Sequence, residues 1–84
     1  MNIVFAPQVW DDCLHWQSVD RAVVKRINRL IAEACRSPFD GIGKPESLKY
    51  GLAGAWSRRI TDEHRLVSRV SGGDLQILQA RYHY

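Results

Sequence analysis

The sequence has no apolar run near the roughly 18–20 residues that a membrane-spanning helix requires. Its first residues, Met1-Asn2-Ile3-Val4-Phe5-Ala6-Pro7, lack the basic start and long apolar stretch of a secretion signal. A soluble, cytoplasmic chain is expected. Cysteine is scarce: Cys13 and Cys35 are too few for a disulfide scaffold and stand in no zinc-type spacing, so both are expected as free, largely buried thiols, with no metal site. Also missing are a Gly-rich phosphate loop and a Gly-x-Ser-x-Gly elbow, which removes several common enzyme classes. Lys and Arg are absent from the first twenty positions, where Asp11, Asp12 and Asp20 give a net −3.

All twelve Lys and Arg therefore fall in residues 21–84, which carry a net +6 within a chain of +3 overall. Nine of them are Arg. The planar guanidinium fork binds phosphate bidentately, so this content leans toward a polyanionic partner, although charge alone is equally compatible with a solvated basic face. The length of 84 residues suits one domain spanning 1–84 with a single core.

Periodicity divides the chain in two. Ile3-Val4-Phe5 is a short β-prone run, and Pro7 stands where a first helical turn accepts proline. From residue 7 to about residue 17, Val9, Cys13 and Trp16 recur at helical spacing, with Trp10 and Leu14 widening the apolar stripe. Asp20 is a good N-cap for a second helix, whose apolar face is Val23, Ile27, Leu30, Ile31 and Ala34 and which must end before Pro38. Residues 37–45 hold two prolines and two glycines and read as a loop. Beyond them the period becomes two, over residues 55–61, 65–71 and 75–82, with Gly72-Gly73 as a hairpin turn. The expected fold is α+β: an N-terminal strand and a two-helix hairpin packed on an antiparallel sheet.

Candidate chemistry is limited. His83 is a group that titrates near neutral pH, set between Tyr82 and Tyr84 and preceded by Arg81. Flanking aromatics give the end of a last strand something to pack or stack with. Glu46 is a carboxylate in a basic neighbourhood, between Lys44 and Lys49. Arg58, Arg59, Arg65 and Arg69 line a concave sheet face or protect an edge in water. His15 and His64 read as structural or solvent-exposed.

The runs Lys44-Pro45-Glu46-Ser47-Leu48-Lys49, Gly54-Ala55-Trp56-Ser57-Arg58-Arg59-Ile60-Thr61, Glu63-His64-Arg65-Leu66-Val67 and Arg81-Tyr82-His83-Tyr84, together with Trp10-Asp11-Asp12, resemble the YoeB/Txe family of bacterial toxin–antitoxin toxins. The resemblance extends over essentially the whole chain. It implies a RelE-like small ribonuclease fold and ribosome-dependent cleavage of messenger RNA in the decoding site of the 30S subunit, which inhibits translation. By the same resemblance Glu46 is general base, Arg65 with Arg59 and Lys49 clamps the transition state, His83 is general acid, and Tyr84 helps place phosphate or base. That set meets what scission by the 2′-hydroxyl without a metal or other cofactor requires: a base, cations and an acid.

The resemblance also implies a cognate YefM/Phd-type antitoxin with an acidic, partly disordered segment, for which Arg81 and its neighbouring cations are expected contacts. A homodimer is open, because the stripe carrying Trp10 or Trp16 suits an interface as well as a core. The alternatives are a non-catalytic gyrase poison of the same superfamily and a plain RNA-binding module. One geometric condition follows. A strict two-residue turn at Gly72-Gly73 would set Arg65 opposite Ala80 and place Arg65 and His83 on opposite faces, so shared chemistry requires a longer loop, a β-bulge or an irregular strand end.

Overall fold

The computed structural model describes residues 1–48 and 53–82. Its elements are β1 (Asn2–Phe5), α1 (Pro7–Val19), α2 (Arg21–Arg36), β2 (Glu46–Ser47), β3 (Ala55–Arg59), β4 (Arg65–Ser71) and β5 (Asp74–Gln79). The strands form one sheet in the order β1-β5-β4-β3-β2, and the helical hairpin covers one of its faces. Every pairing is antiparallel except β1 with β5, which is parallel. A three-residue apolar run shows that a strand exists; it carries no sign of direction when the partner lies some seventy residues on.

Pro7 opens α1 with its φ already set for a helix, and no side chain caps that end. The helix runs to Val19, past the expected residue 17, because the Asp20 N–H still reaches the Trp16 carbonyl at 2.8 Å. Asp20 then caps α2 as expected, its Oδ1 accepting from Ala22 and Val23 N–H at 3.0 and 3.4 Å. All five apolar residues read onto the inner face of α2 are buried. Each buried Val, Leu or Ile contributes about 1.5–3 kcal/mol relative to exposure, so this face supplies much of the stability of a short chain. On α1, Val9 and Trp16 are buried, but Trp10 and Leu14 stay exposed. The stripe there is narrower than expected, and of the two tryptophans only Trp10 is available to a partner.

Gly72 and Gly73 form a two-residue turn with φ of 54° and 85°, both in the region that glycine enters without strain, and Ser71 pairs with Asp74. The turn is therefore regular. The irregularity sits farther along: Ser68 pairs with Ile77 but Val67 pairs with Gln79, leaving Leu78 as an extra residue in β5. The strand ends at Gln79, short of the expected residue 82, because Trp16 Nε1 donates to the Ala80 carbonyl at 2.9 Å and Tyr82 adopts φ 66°.

Arg58 departs most from the sequence reading. It does not line a concave basic face but lies on the helix side at 1% exposure. Its Nη1 donates to the Ile42 carbonyl at 2.9 Å, and its Nη2 to those of Ser37 and Asp40 at 2.6 and 2.7 Å. Burial lowers its pKa, opposed by the nearby carboxylates of Glu33 and Asp40. The loop it binds approaches so closely that a Cβ on Gly43 would lie 2.8 Å from Leu30 Cδ2, and the Gly43 carbonyl accepts from Arg59 N–H at 2.7 Å. Replacing Arg58 by alanine would leave a void and three carbonyls without their donor. We expect Arg58→Ala to cost more than about 3 kcal/mol in urea denaturation, and exposed Arg59→Ala about 0.5 kcal/mol or less; similar losses for the two would refute the structural role of Arg58.

Candidate active site

Two cross-strand rows run over the sheet face away from the helices. Glu46 pairs with Ser57, Ser57 with Val67, and Val67 with Gln79, so these four positions share that face. Next to them Arg59 pairs with Arg65. The floor is a small apolar cluster of Leu48, Ala55 and Val67, against which Leu78 packs. Arg69 lies on the same face and donates from Nε to Gln76 Oε1 at 3.0 Å. Glu46 reaches its position through β2, a two-residue strand that turn composition alone could not reveal; the sequence reading had the loop simply ending at Pro45.

Of the residues assigned by resemblance, Glu46, Arg59 and Arg65 are thus brought to one face. Glu46 and Arg59 are exposed and Arg65 is half-buried. Arg65 is fixed by its surroundings: its Nη1 donates to the carbonyls of Thr61, Asp62 and His64 at 2.6, 3.2 and 3.0 Å. These bonds hold the guanidinium against the β3–β4 loop, so less side-chain freedom remains to be lost when an anion binds. Lys49, His83 and Tyr84 lie outside the described residues.

Residues 79–82 approach this face in a defined way. The Tyr82 carbonyl accepts from Arg65 N–H at 3.1 Å and from Gln79 Nε2 at 2.8 Å, while Tyr82 N–H donates to His64 Nδ1 at 2.8 Å. His64 also packs edge-on against Trp16, with ring centroids 4.8 Å apart. Arg81 is half-buried, its Cζ 4.7 Å from the Tyr82 ring centroid, and its Nε has no partner among the described residues. His64, read from the sequence as structural or solvent-exposed, is tied into the fold by these contacts, but its partnership with Tyr82 had no signal there: the two are eighteen residues apart with no periodic relation.

The bulge at Leu78 decides the parity of this arrangement. Side chains on both sides of a bulge point to the same face. Leu78 and Gln79 accordingly lie with Val67 on the open face, and Ala80 returns to the helix-side core. A regular ladder would have set Ala80 opposite Arg65.

Other chemistry finds less support. Burial, and secondarily Asp12, raise the pKa of the Cys13 thiol, which keeps it protonated and a poor nucleophile. An apolar recess lined by Phe5, Trp10, Cys13, Trp16, Val24 and Ile31 among others opens on the helix side and includes none of the open-face row. No three His, Cys, Asp or Glu side chains gather among the described residues in a way that could hold a metal ion. None of the described helices is long and apolar enough to cross a membrane.

What the open face offers is a carboxylate, two arginines and a nearby chain end, on a rigid antiparallel ladder. A carboxylate can take a proton, and guanidinium groups can hold a phosphate whose charge increases during reaction. Comparison with known proteins gives this arrangement a context. A family model described as YoeB-like toxin of bacterial type II toxin–antitoxin system matches residues 5–84. The chain is 57% identical to Toxin YoeB of Streptomyces coelicolor over 84 residues, covering 100% of both chains. Two solved Staphylococcus aureus structures are similar to it. One is a YoeB dimer, at 45% identity and a TM-score of 0.92, and the other a YoeB–YefM complex, at 44% and 0.90; each match covers 100% of this chain and 98% of the other.

Proposed function

The chain belongs to the YoeB-like toxins of bacterial type II toxin–antitoxin systems, and from that premise we propose that it is a ribosome-dependent endoribonuclease cutting messenger RNA in the decoding site. The observation that carries this reading is the open face, where Glu46 shares a cross-strand row beside the Arg59–Arg65 pair and the chain end is fastened at Arg65. A pure binding surface needs only cations. A carboxylate among them weakens the attraction for phosphate, and its presence is explained if it does chemistry.

In the proposed reaction Glu46 takes the proton of a ribose 2′-hydroxyl, and O2′ attacks the adjacent phosphorus. Arg65, with Arg59 and Lys49, balances the extra negative charge of the phosphorane. The bond from phosphorus to the 5′-oxygen then breaks, and His83 gives that oxygen its proton, leaving a 2′,3′-cyclic phosphate on one fragment and a 5′-hydroxyl on the other. Tyr84 helps to place phosphate or base. The ribosome contributes the positioning that an exposed, shallow face does not provide alone.

The proposed partners fit the charge. Residues 21–84 carry a net +6, which suits both RNA and an acidic, partly disordered antitoxin segment that folds on binding. The Staphylococcus aureus YoeB–YefM complex supports an antitoxin of that type, and Arg81 is among its expected contacts. The dimer from the same organism supports self-association as a further state. Such a protein acts in the cytoplasm, where ribosomes are.

Primer extension on purified ribosomes carrying a defined decoding-site codon tests the nuclease reading. Wild type should cut within or beside that codon, and Glu46→Ala and His83→Ala should each be slower by about 10²–10⁴-fold while still binding. No cleavage by folded wild type would favour a gyrase-poison or plain binding role. A 2′-deoxy nucleotide at the cut position should block the reaction; cleavage at the ribose rate would rule out the internal nucleophile. Expression of the toxin alone should arrest growth, and co-expression of its acidic partner should restore it, whereas failure of that partner to bind would sink the antitoxin assignment.

A further inference from the structure

Tyr82 is held in a conformation that a large aromatic side chain avoids. Its φ of 66° lies in the left-handed region, where a Cβ crowds the backbone. Both of its backbone polar groups are engaged: the N–H by His64 Nδ1 at 2.8 Å, the carbonyl by Arg65 N–H at 3.1 Å and Gln79 Nε2 at 2.8 Å. Strain of this kind persists only where the surroundings over-determine it, and it gathers at functional sites.

We infer that His64 is a positioning residue for the proposed cleavage, whose Nδ1 fastens Tyr82 to the turn that carries Arg65. The inference rests on the nuclease reading above and adds to it a residue with no part in the acid–base scheme. In this contact Nδ1 is the acceptor and the Tyr82 amide the donor. The ring is itself held in place. Trp16 packs on it edge-on at 4.8 Å and, through Nε1, grips the Ala80 carbonyl at 2.9 Å, so one buried indole fixes both the latch and the segment it closes on. His64 directly precedes Arg65, and the same backbone turn thereby holds both the proposed phosphate clamp and Tyr82. A displacement of about 1 Å among reacting groups can cost on the order of 10²-fold in rate, so loosening the turn that carries Arg65 should slow the cleavage.

Two nearly isosteric variants separate this role from simple packing. His64→Asn and His64→Leu both lose the ring that packs on Trp16, but only asparagine keeps an acceptor where Nδ1 stood. On ribosomes carrying a defined codon, single-turnover cleavage is measured against ribosome concentration. His64→Leu should lose about tenfold or more in maximal rate with its half-saturating concentration changed by about twofold or less, and His64→Asn should recover to within about threefold of wild type. His64→Phe keeps a ring against Trp16 without the acceptor and should behave as His64→Leu, which guards against a loss due to unfolding. In the free protein, hydrogen exchange at the Tyr82 amide should be faster in His64→Leu and His64→Phe than in wild type and His64→Asn. Equal cleavage by His64→Leu and His64→Asn, or equal exchange at Tyr82, would overturn the inference. Exchange that differs as expected, alongside a wild type that cuts nothing on the ribosome, would instead defeat the nuclease reading and with it the catalytic role of the latch.

Discussion

The single extra residue in the β4–β5 ladder decides which side of the sheet each later side chain faces. With Leu78 bulged out, Gln79 stays beside Val67 on the open face and Ala80 enters the core, where Trp16 takes its carbonyl. In a regular ladder Gln79 would fall on the helix side and Ala80 on the open one. The indole would then have lost its acceptor, and the chain would leave the sheet with opposite parity. One side of this sheet is packed under helices and the other carries polar chemistry, so parity is the property that has to be set correctly. The protein sets it beside the open-face row and leaves the glycine turn regular.

The second constraint is how one pair of adjacent arginines is used. Arg58 and Arg59 are chemically alike and consecutive, yet strand alternation sends one into the core and the other to the open face. The inward one anchors the loop that leads to Glu46, and the outward one belongs to the candidate site. A count of basic residues is therefore a poor measure of the surface available to a polyanion. One of the nine arginines is consumed by the fold, and Arg69 is tied to Gln76.

Elements governed by local rules were legible in the sequence. Asp20 as a cap, the five inner positions of α2 and the bounds of β4 follow from short-range spacing, and the structure agrees with each. Features set by distant partners were not. The parallel sense of β1, the two-residue β2, the burial of Arg58 and the pairing of His64 with Tyr82 all depend on what the rest of the chain brings near. The helix-facing side of α1 was read too broadly, because hydrophobic spacing does not tell a covered stripe from an uncovered one, and Trp10 at 53% exposure lies in the latter. At the candidate site, the likeness in motifs marked Glu46, Arg59 and Arg65, and the register puts them on one face. Parity reasoning from the sequence asked for a longer loop, a bulge or an irregular strand end; the Gly72-Gly73 turn is regular and the ladder contains a bulge.

The way Arg58 holds its loop bears on the conditions the protein can withstand. Its three acceptors are main-chain carbonyls rather than a carboxylate. Mobile ions screen exposed ion pairs strongly, and acid removes the charge of a carboxylate partner, but peptide dipoles in a dry contact are little affected by ionic strength and do not titrate. The approach to Glu46 thus remains anchored in brine or at acidic pH, even where the electrostatic attraction of the open face for a polyanion has faded.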